Sequence, residues 1–227
     1  SVRTRENYER YLKTFFGQAK VREIEDITAD AVKDFRLRLA RTKLKTGEGI
    51  KKSTQSYYAI AIRNFLKYLI KKDYQVISPD KIELPKLPDR QIEIIDYKDL
   101  ERLLGAPRGA DSRNLRDKAI LETLFSTGLR LAELCSLNRY LDFDRGEITV
   151  RGKGDKLRVV FISGSAKEAL KKYLEKRTDT LEYLFVSLTK KGQVIGKITP
   201  RAIQRMVDFY ARKAGIGKRV TPHSLRH

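Results

Sequence analysis

Apolar side chains recur at helical spacing through the first third of the chain. After a polar start at Thr4-Arg5-Glu6, the residues Tyr8, Tyr11, Leu12 and Phe15 fall on one side of a helix. Thr28-Ala29-Asp30 opens a second helix with Val32, Phe35 and Leu39 on one side. Ser53 is the expected N-cap of a third, whose stripe is Tyr58, Ile62, Phe65, Leu66 and Leu69. Between them, residues 43–52 form a Gly- and Lys-rich exposed loop, and Ser78-Pro79 begins a short last helix. The aromatic stripes read as core packing. Residues 1–84 therefore predict a compact helical unit.

Pro85 and Pro88, three apart, favour extended backbone and block helix continuation, so residues 85–92 are expected to be a linker. The second unit, 93–227, starts with a helix near Tyr97–Leu104, followed by a Gly/Pro-rich loop from Gly105 to Asn114 and a helix through Ala119, Leu121 and Leu124. From Glu147 the period changes to two. Ile148 and Val150 alternate with Thr149 and Arg151; after Gly152-Lys153-Gly154-Asp155, Leu157, Val159 and Phe161 alternate in turn, which predicts a β-hairpin. A helix over 166–176, a short strand at 183–186 and a helix from Thr199-Pro200 to Ala214 follow. Thr221-Pro222 repeats the Thr-Pro opening and begins a final helix. The expected fold class is mainly α with a small β-sheet.

Charge adds a partner to this picture. The 227 residues carry 49 Lys+Arg against 29 Asp+Glu, a net charge of +20. Both parts are basic, +8 through Leu84 and +12 beyond it, which a single cationic tail would not produce. A polyanion touched by both parts is the natural partner, and nucleic acid is the commonest. The single Cys135 lies in an apolar run and reads as a buried thiol in a reducing, cytoplasmic compartment. No apolar stretch approaches a membrane span. His223 and His227 have metal-ligand spacing, but with two histidines and one distant cysteine no metal site is expected, and no cofactor. The chain opens on Ser1-Val2-Arg3 without a Met and stops at His227, which reads as a piece cut from a longer protein.

Four cationic or proton-bearing groups stand out by context. Arg130 starts a helix just after the break at Gly128, and Glu133, one turn on, is placed to orient it. Lys153 sits at the hairpin tip between two glycines that let backbone approach a ligand closely. His223 and Arg226, three apart in a first helical turn, can reach one anionic group where free N–H groups favour it.

In order along the chain, Ser126-Thr127-Gly128-Leu129-Arg130-Leu131-Ala132-Glu133-Leu134, Gly152-Lys153-Gly154 and Thr221-Pro222-His223-Ser224-Leu225-Arg226-His227 resemble the tyrosine recombinases, the phage-integrase and Xer-like family. The resemblance covers essentially the whole chain. It implies a helical, SAM-like core-binding domain over 1–84 and a C-terminally truncated catalytic domain over 93–227, together forming a C-shaped clamp on duplex DNA. By the same resemblance, Arg130 and Arg226 would clamp the non-bridging oxygens of one scissile phosphate. Lys153 would protonate the departing 5′ oxygen, His223 would hydrogen-bond the phosphate or help move the nucleophile's proton, and Glu133 would hold Arg130. Permanently charged guanidinium with paired donors suits this work.

The family's nucleophilic tyrosine lies beyond the His-x-x-Arg turn, and none of the eleven tyrosines stands there; Tyr210, on the preceding helix, reads as packing. The expectation is a DNA-binding fragment of a site-specific recombinase that breaks and rejoins DNA through a 3′-phosphotyrosyl intermediate, in dimer resolution for chromosome segregation or in DNA integration. The parent would act as a homo-tetramer on two DNA sites, the fragment being monomeric off DNA. For DNA contact, Lys51, Lys52, Ser53, Thr54, Gln55 and Arg63 are offered by the front unit; Lys156 and Arg158 flank the hairpin, and Thr199, Arg201, Gln204 and Arg205 open the penultimate helix. A non-catalytic DNA-binding regulator, a type IB topoisomerase-like enzyme and a cationic structural or RNA-binding protein are the alternatives.

Overall fold

The computed structural model describes residues 2–44, 46–86, 95–152 and 156–226, without side chains at positions 2, 3 and 226. The expected linker falls mostly on residues outside that description. The chain divides into two compact units, Ser1–Arg90 and Gln91–His227.

The first unit contains helices α1 (Val2–Ala19), α2 (Ala29–Arg41) and α3 (Lys52–Ile70). Thr28 caps α2 through its hydroxyl, which accepts from the Ala31 N–H at 3.1 Å. Phe15, Val32, Phe35, Leu39, Ile62, Leu66 and Leu69 build the core, with the Phe15 and Phe35 rings edge-on at 5.2 Å. Ser53 is not the cap of α3. The helix begins two residues earlier, at Lys52, after Lys51, whose backbone turns without a side-chain cap. The Gln55 amide instead donates to the Ile50 carbonyl at 2.7 Å. Ser78-Pro79 gives a single 3-10 turn, Pro79–Lys81.

The second unit is arranged about α5 (Ser112–Thr127), which is buried along most of its length because α4 (Tyr97–Leu104) and α7 (Gly164–Glu175) pack on it. Its start lies two residues ahead of Asn114, since Asp111 caps it by accepting from the Arg113 and Asn114 N–H groups. α5 ends at Gly128, which adopts the left-handed φ of 57° and closes the helix with its N–H on the Leu124 carbonyl. The short α6 (Leu131–Cys135) follows at once.

The expected hairpin is present as antiparallel β1 (Glu147–Arg151) and β2 (Leu157–Phe161), with Val150 opposite Arg158 and Ile148 opposite Val160. Its facing is not what the apolar alternation suggests. Leu157, Val159 and Phe161 are exposed, and Arg158 and Val160 turn inward with Ile148 and Val150. The inward side of β1 fixes this through the pairing register.

The strand expected at 183–186 is displaced. Tyr183 makes only an isolated bridge to Asn138, and β3 (Val186–Leu188) pairs with β4 (Val194–Lys197) in a second hairpin that local pattern did not reveal. α8 (Pro200–Lys213) carries the expected Thr199 cap and Pro at its first position. The Thr221-Pro222 opening leads to a 3-10 turn, Ser224–Arg226, packed against α5 through the buried Leu225. No helix among the described residues is long and apolar enough to cross a membrane.

Candidate functional site

Arg130 stands at the N-cap of α6, two residues after the left-handed glycine that ends α5. That placement exposes its backbone N–H, one of the donors a helix start leaves without a partner. Glu133, at the third helical position, takes it: the Glu133 Oε2 accepts the Arg130 N–H at 2.8 Å. The same carboxylate reaches the side chain, Arg130 Nη1 donating to Oε1 at 3.0 Å. The Glu133 side chain is 8% exposed and that of Arg130 52%. A nearly buried carboxylate thus holds a guanidinium that keeps half its surface in solvent.

The carboxylate has a second cation. Arg158, from the inward side of β2, donates Nη1 to Glu133 Oε1 at 3.0 Å and Nη2 to Oε2 at 2.7 Å, the fork geometry of a bidentate pair. These bonds, with Arg158 the largest contributor, hold the Glu133 carboxyl down to about 2. The Arg158 guanidinium is held above its ordinary value by the same pair. Gly152, the residue before Lys153, closes over it: a Cβ there would stand 2.9 Å from Arg158 Nη1 and 3.5 Å from Glu133 Oε1.

Arg130, Glu133 and Arg158 are therefore brought together by direct bonds. His223 is exposed on the turn that Thr221 and Ser224 brace, with the Thr221 hydroxyl accepting the Ser224 N–H at 3.2 Å. Lys153 and His227 lie outside the described residues, as does the Arg226 side chain.

Arg201, Gln204 and Arg205 are exposed at the start of α8, and Thr199 spends its hydroxyl on the helix cap, accepting from the Ala202 N–H. Lys156 is exposed just ahead of β2. In the first unit, Lys51 and Lys52 are exposed, Ser53 and Thr54 half-buried, and Arg63 is bonded to Asp80 at 2.9 Å. A groove there of about 440 Å³ is lined by Lys33, Arg36, Lys52, Gln55 and Lys86, among others. It adds Lys33, Arg36 and Lys86 to the basic set. The i,i+3 spacing of Lys33 and Arg36 on α2 was the available signal.

Tyr210 is 2% exposed and its hydroxyl donates toward Asn114 and Asp117 at 3.1 and 3.2 Å. Burial first, then the Asp117 charge, push its phenol well above the ordinary range, and its hydroxyl is spent inside the core as packing requires. The Cys135 thiol is pushed up to about 11 by burial. Among the described residues, no group of three or more His, Cys, Asp and Glu side chains is placed to hold a metal.

Residues 93–227 match the model of the phage integrase family. The chain is 34% identical over 236 residues to the tyrosine recombinase XerC of Thermodesulfovibrio yellowstonii, covering all of this chain and 75% of that protein. The chain belongs to the phage integrase family.

Among other members of this family, XerC of Myxococcus xanthus is 35% identical over 174 residues, covering 74% of this chain and 58% of its own length. The crystal structure of XerA recombinase superposes with a TM-score of 0.52 at 29% identity, over all of this chain and 75% of that one. The fold is shared more closely with a structure of XerH recombinase bound to difH substrate, with a TM-score of 0.69 at 21% identity, over 97% of this chain and 65% of that one. In this family member, the Arg-x-x-Glu pair was legible as an i,i+3 contact. The bond from Arg158, 25 residues further on and turned inward by strand register, was not.

Proposed function

We propose that this protein is a tyrosine-type site-specific recombinase acting on duplex DNA, and that the residues assembled around Arg130 grip the scissile phosphate. The observation that carries this reading is the half-exposed Arg130 guanidinium, oriented by a nearly buried carboxylate. Held this way, its unused donors face solvent without having to be ordered when an anion arrives, which is the preorganisation that transition-state charge requires. The names and DNA-bound states of the relatives support the assignment of substrate.

In the proposed reaction a tyrosyl oxygen attacks phosphorus and displaces the 5′ oxygen, giving a 3′-phosphotyrosyl bond and a 5′ hydroxyl. Rejoining is the reverse, with a 5′ hydroxyl as nucleophile, so no ATP is consumed. Arg130 and Arg226 stabilise the added negative charge on the non-bridging oxygens. Lys153 delivers the proton to the leaving oxygen, and His223 hydrogen-bonds the phosphate and helps carry away the proton that the tyrosyl hydroxyl gives up. These residues are assigned the grip and the proton. Arg201, Gln204 and Arg205 of α8 and the basic groove of the first unit supply phosphate contacts. Four copies on two DNA sites form the working assembly in the cytoplasm, and the chain is monomeric off DNA.

The test is competition binding at several salt concentrations. Duplex DNA is expected to bind with an affinity that falls steeply as salt rises, as release of several counterions demands. Structured RNA of equal length is expected to compete poorly. A flat salt response, or equal affinity for RNA, would overturn the reading.

A further inference from the structure

Arg158 was a DNA-contact residue on sequence grounds, being a cation beside a Gly-rich hairpin turn. We infer that Arg158 is instead a positioning residue, which fixes the Glu133 carboxylate that orients Arg130 and so latches the β1–β2 hairpin to the start of α6. The inference rests on the reading that Arg130 meets phosphate.

The donor arithmetic at Glu133 makes the case. Each carboxylate oxygen accepts one bond from Arg158 and one from Arg130: Oε1 from the two Nη1 groups at 3.0 Å each, Oε2 from Arg158 Nη2 at 2.7 Å and the Arg130 N–H at 2.8 Å. A carboxylate offers about four lone-pair sites, and all are used. With Arg130 alone, the carboxylate would keep half its capacity unfilled in a nearly buried place.

The two arginines differ in what they have left. Arg158 commits both arms of its fork to Glu133, projects on the inward side of the hairpin beside Val150 and Val160, and is covered by the Gly152 backbone. Arg130 commits one Nη and remains 52% exposed, against 34% for Arg158. A phosphate taking the paired Nη1–Nη2 edge of Arg158 would have to displace Glu133, and one taking the Nε–Nη2 edge of Arg130 would not. The shared carboxylate also connects two stretches otherwise far apart in sequence: Gly152, which precedes Lys153, lies against the same pair that holds Arg130. Loss of the fork would release both.

A double-mutant cycle on duplex binding separates positioning from contact. Arg158→Gln is expected to weaken binding about 10-fold in the otherwise unchanged chain, the scale of one charge-assisted hydrogen bond. In the Arg130→Ala background it is expected to change neither the affinity by more than about 2-fold nor the salt slope, because its effect passes through Arg130. A further loss of about 10-fold there, with the slope reduced by about 0.9, would make Arg158 a phosphate contact and overturn the inference. Arg158→Lys keeps the charge without the fork and is expected to behave like the glutamine variant; full rescue would also overturn it.

A second readout is independent of DNA. The Arg130 guanidinium protons, followed by NMR in the free protein, are expected to exchange about 10-fold faster in both variants. Unchanged exchange refutes the positioning role. If Arg130→Ala leaves duplex affinity intact, the reading of Arg130 fails, and the NMR result still decides what Arg158 does to it.

Discussion

Two of the arginine–carboxylate clusters in the second unit, Arg116–Asp117 and Arg130–Glu133–Arg158, make an instructive pair. At the first, Arg116 gives Nε and Nη2 to Asp117 Oδ1 at 2.8 and 2.6 Å and Nη1 to the Val186 carbonyl at 3.1 Å, and Tyr210 donates to Asp117 Oδ2 at 3.2 Å. Arg116 is 8% exposed and Asp117 3%. At the second, the carboxylate is similarly enclosed, but one of its two guanidiniums stands half in solvent. Both clusters satisfy their buried charge. Only the second presents spare donors to solvent, and exposed, oriented donors are what an anionic ligand can use. Comparable ingredients thus serve packing at one place and leave a guanidinium open to an anion at the other, with exposure of one arginine as the difference.

The strongest way to break this comparison is through stability. Arg116→Ala leaves Asp117 enclosed without its cation, and is expected to cost about 3–5 kcal/mol in urea unfolding. A cost below about 1 kcal/mol would mean that Asp117 finds solvent or a proton easily, and the first cluster would not be structural.

Acid should act next, and mainly on the second cluster. The Glu133 carboxyl lies near 2 in the folded chain against 4.5 ordinarily, so folding favours its ionised form. Its contribution is fully present above about 4.5 and is lost as pH falls toward about 2, on the order of 1–3 kcal/mol. Glu133→Gln should flatten the unfolding free energy across that window. An unchanged acid limb would show that Glu133 is not held by its arginines in solution.

The smallest effect is expected at Tyr210→Phe, which removes a donor to Asp117 while keeping the ring. About 1 kcal/mol should be lost in the same unfolding assay, with duplex affinity unchanged. A large loss of affinity would put Tyr210 in the DNA site.

What the sequence made legible follows the reach of the forces involved. Helix starts at Thr28 and Thr199 and the break at Gly128 are set within a few residues, and each lies where local chemistry places it. The Arg130–Glu133 contact is equally local. The start of α3 was misplaced because Ser53 is a good cap by type, yet the chain turns at Lys51 without one. The facing of β2 could not be read locally: Leu157, Val159 and Phe161 suggest an apolar side, but pairing with β1 turns Arg158 and Val160 inward. That same register delivers Arg158 to Glu133, so the hidden part of the fold and the hidden part of the site share one cause. The β3–β4 hairpin escaped notice because its strands are three and four residues long and a register shift interrupts them between Ser187 and Leu188.

The central claim is that the exposed half of Arg130 meets a DNA phosphate. Measuring duplex Kd against salt for the unchanged chain and for Arg130→Ala tests it most directly. The account predicts weaker binding by about 10-fold for the variant. The slope of log Kd against log salt should fall by about 0.9, the signature of one lost phosphate contact. Parallel lines with equal intercepts would contradict it.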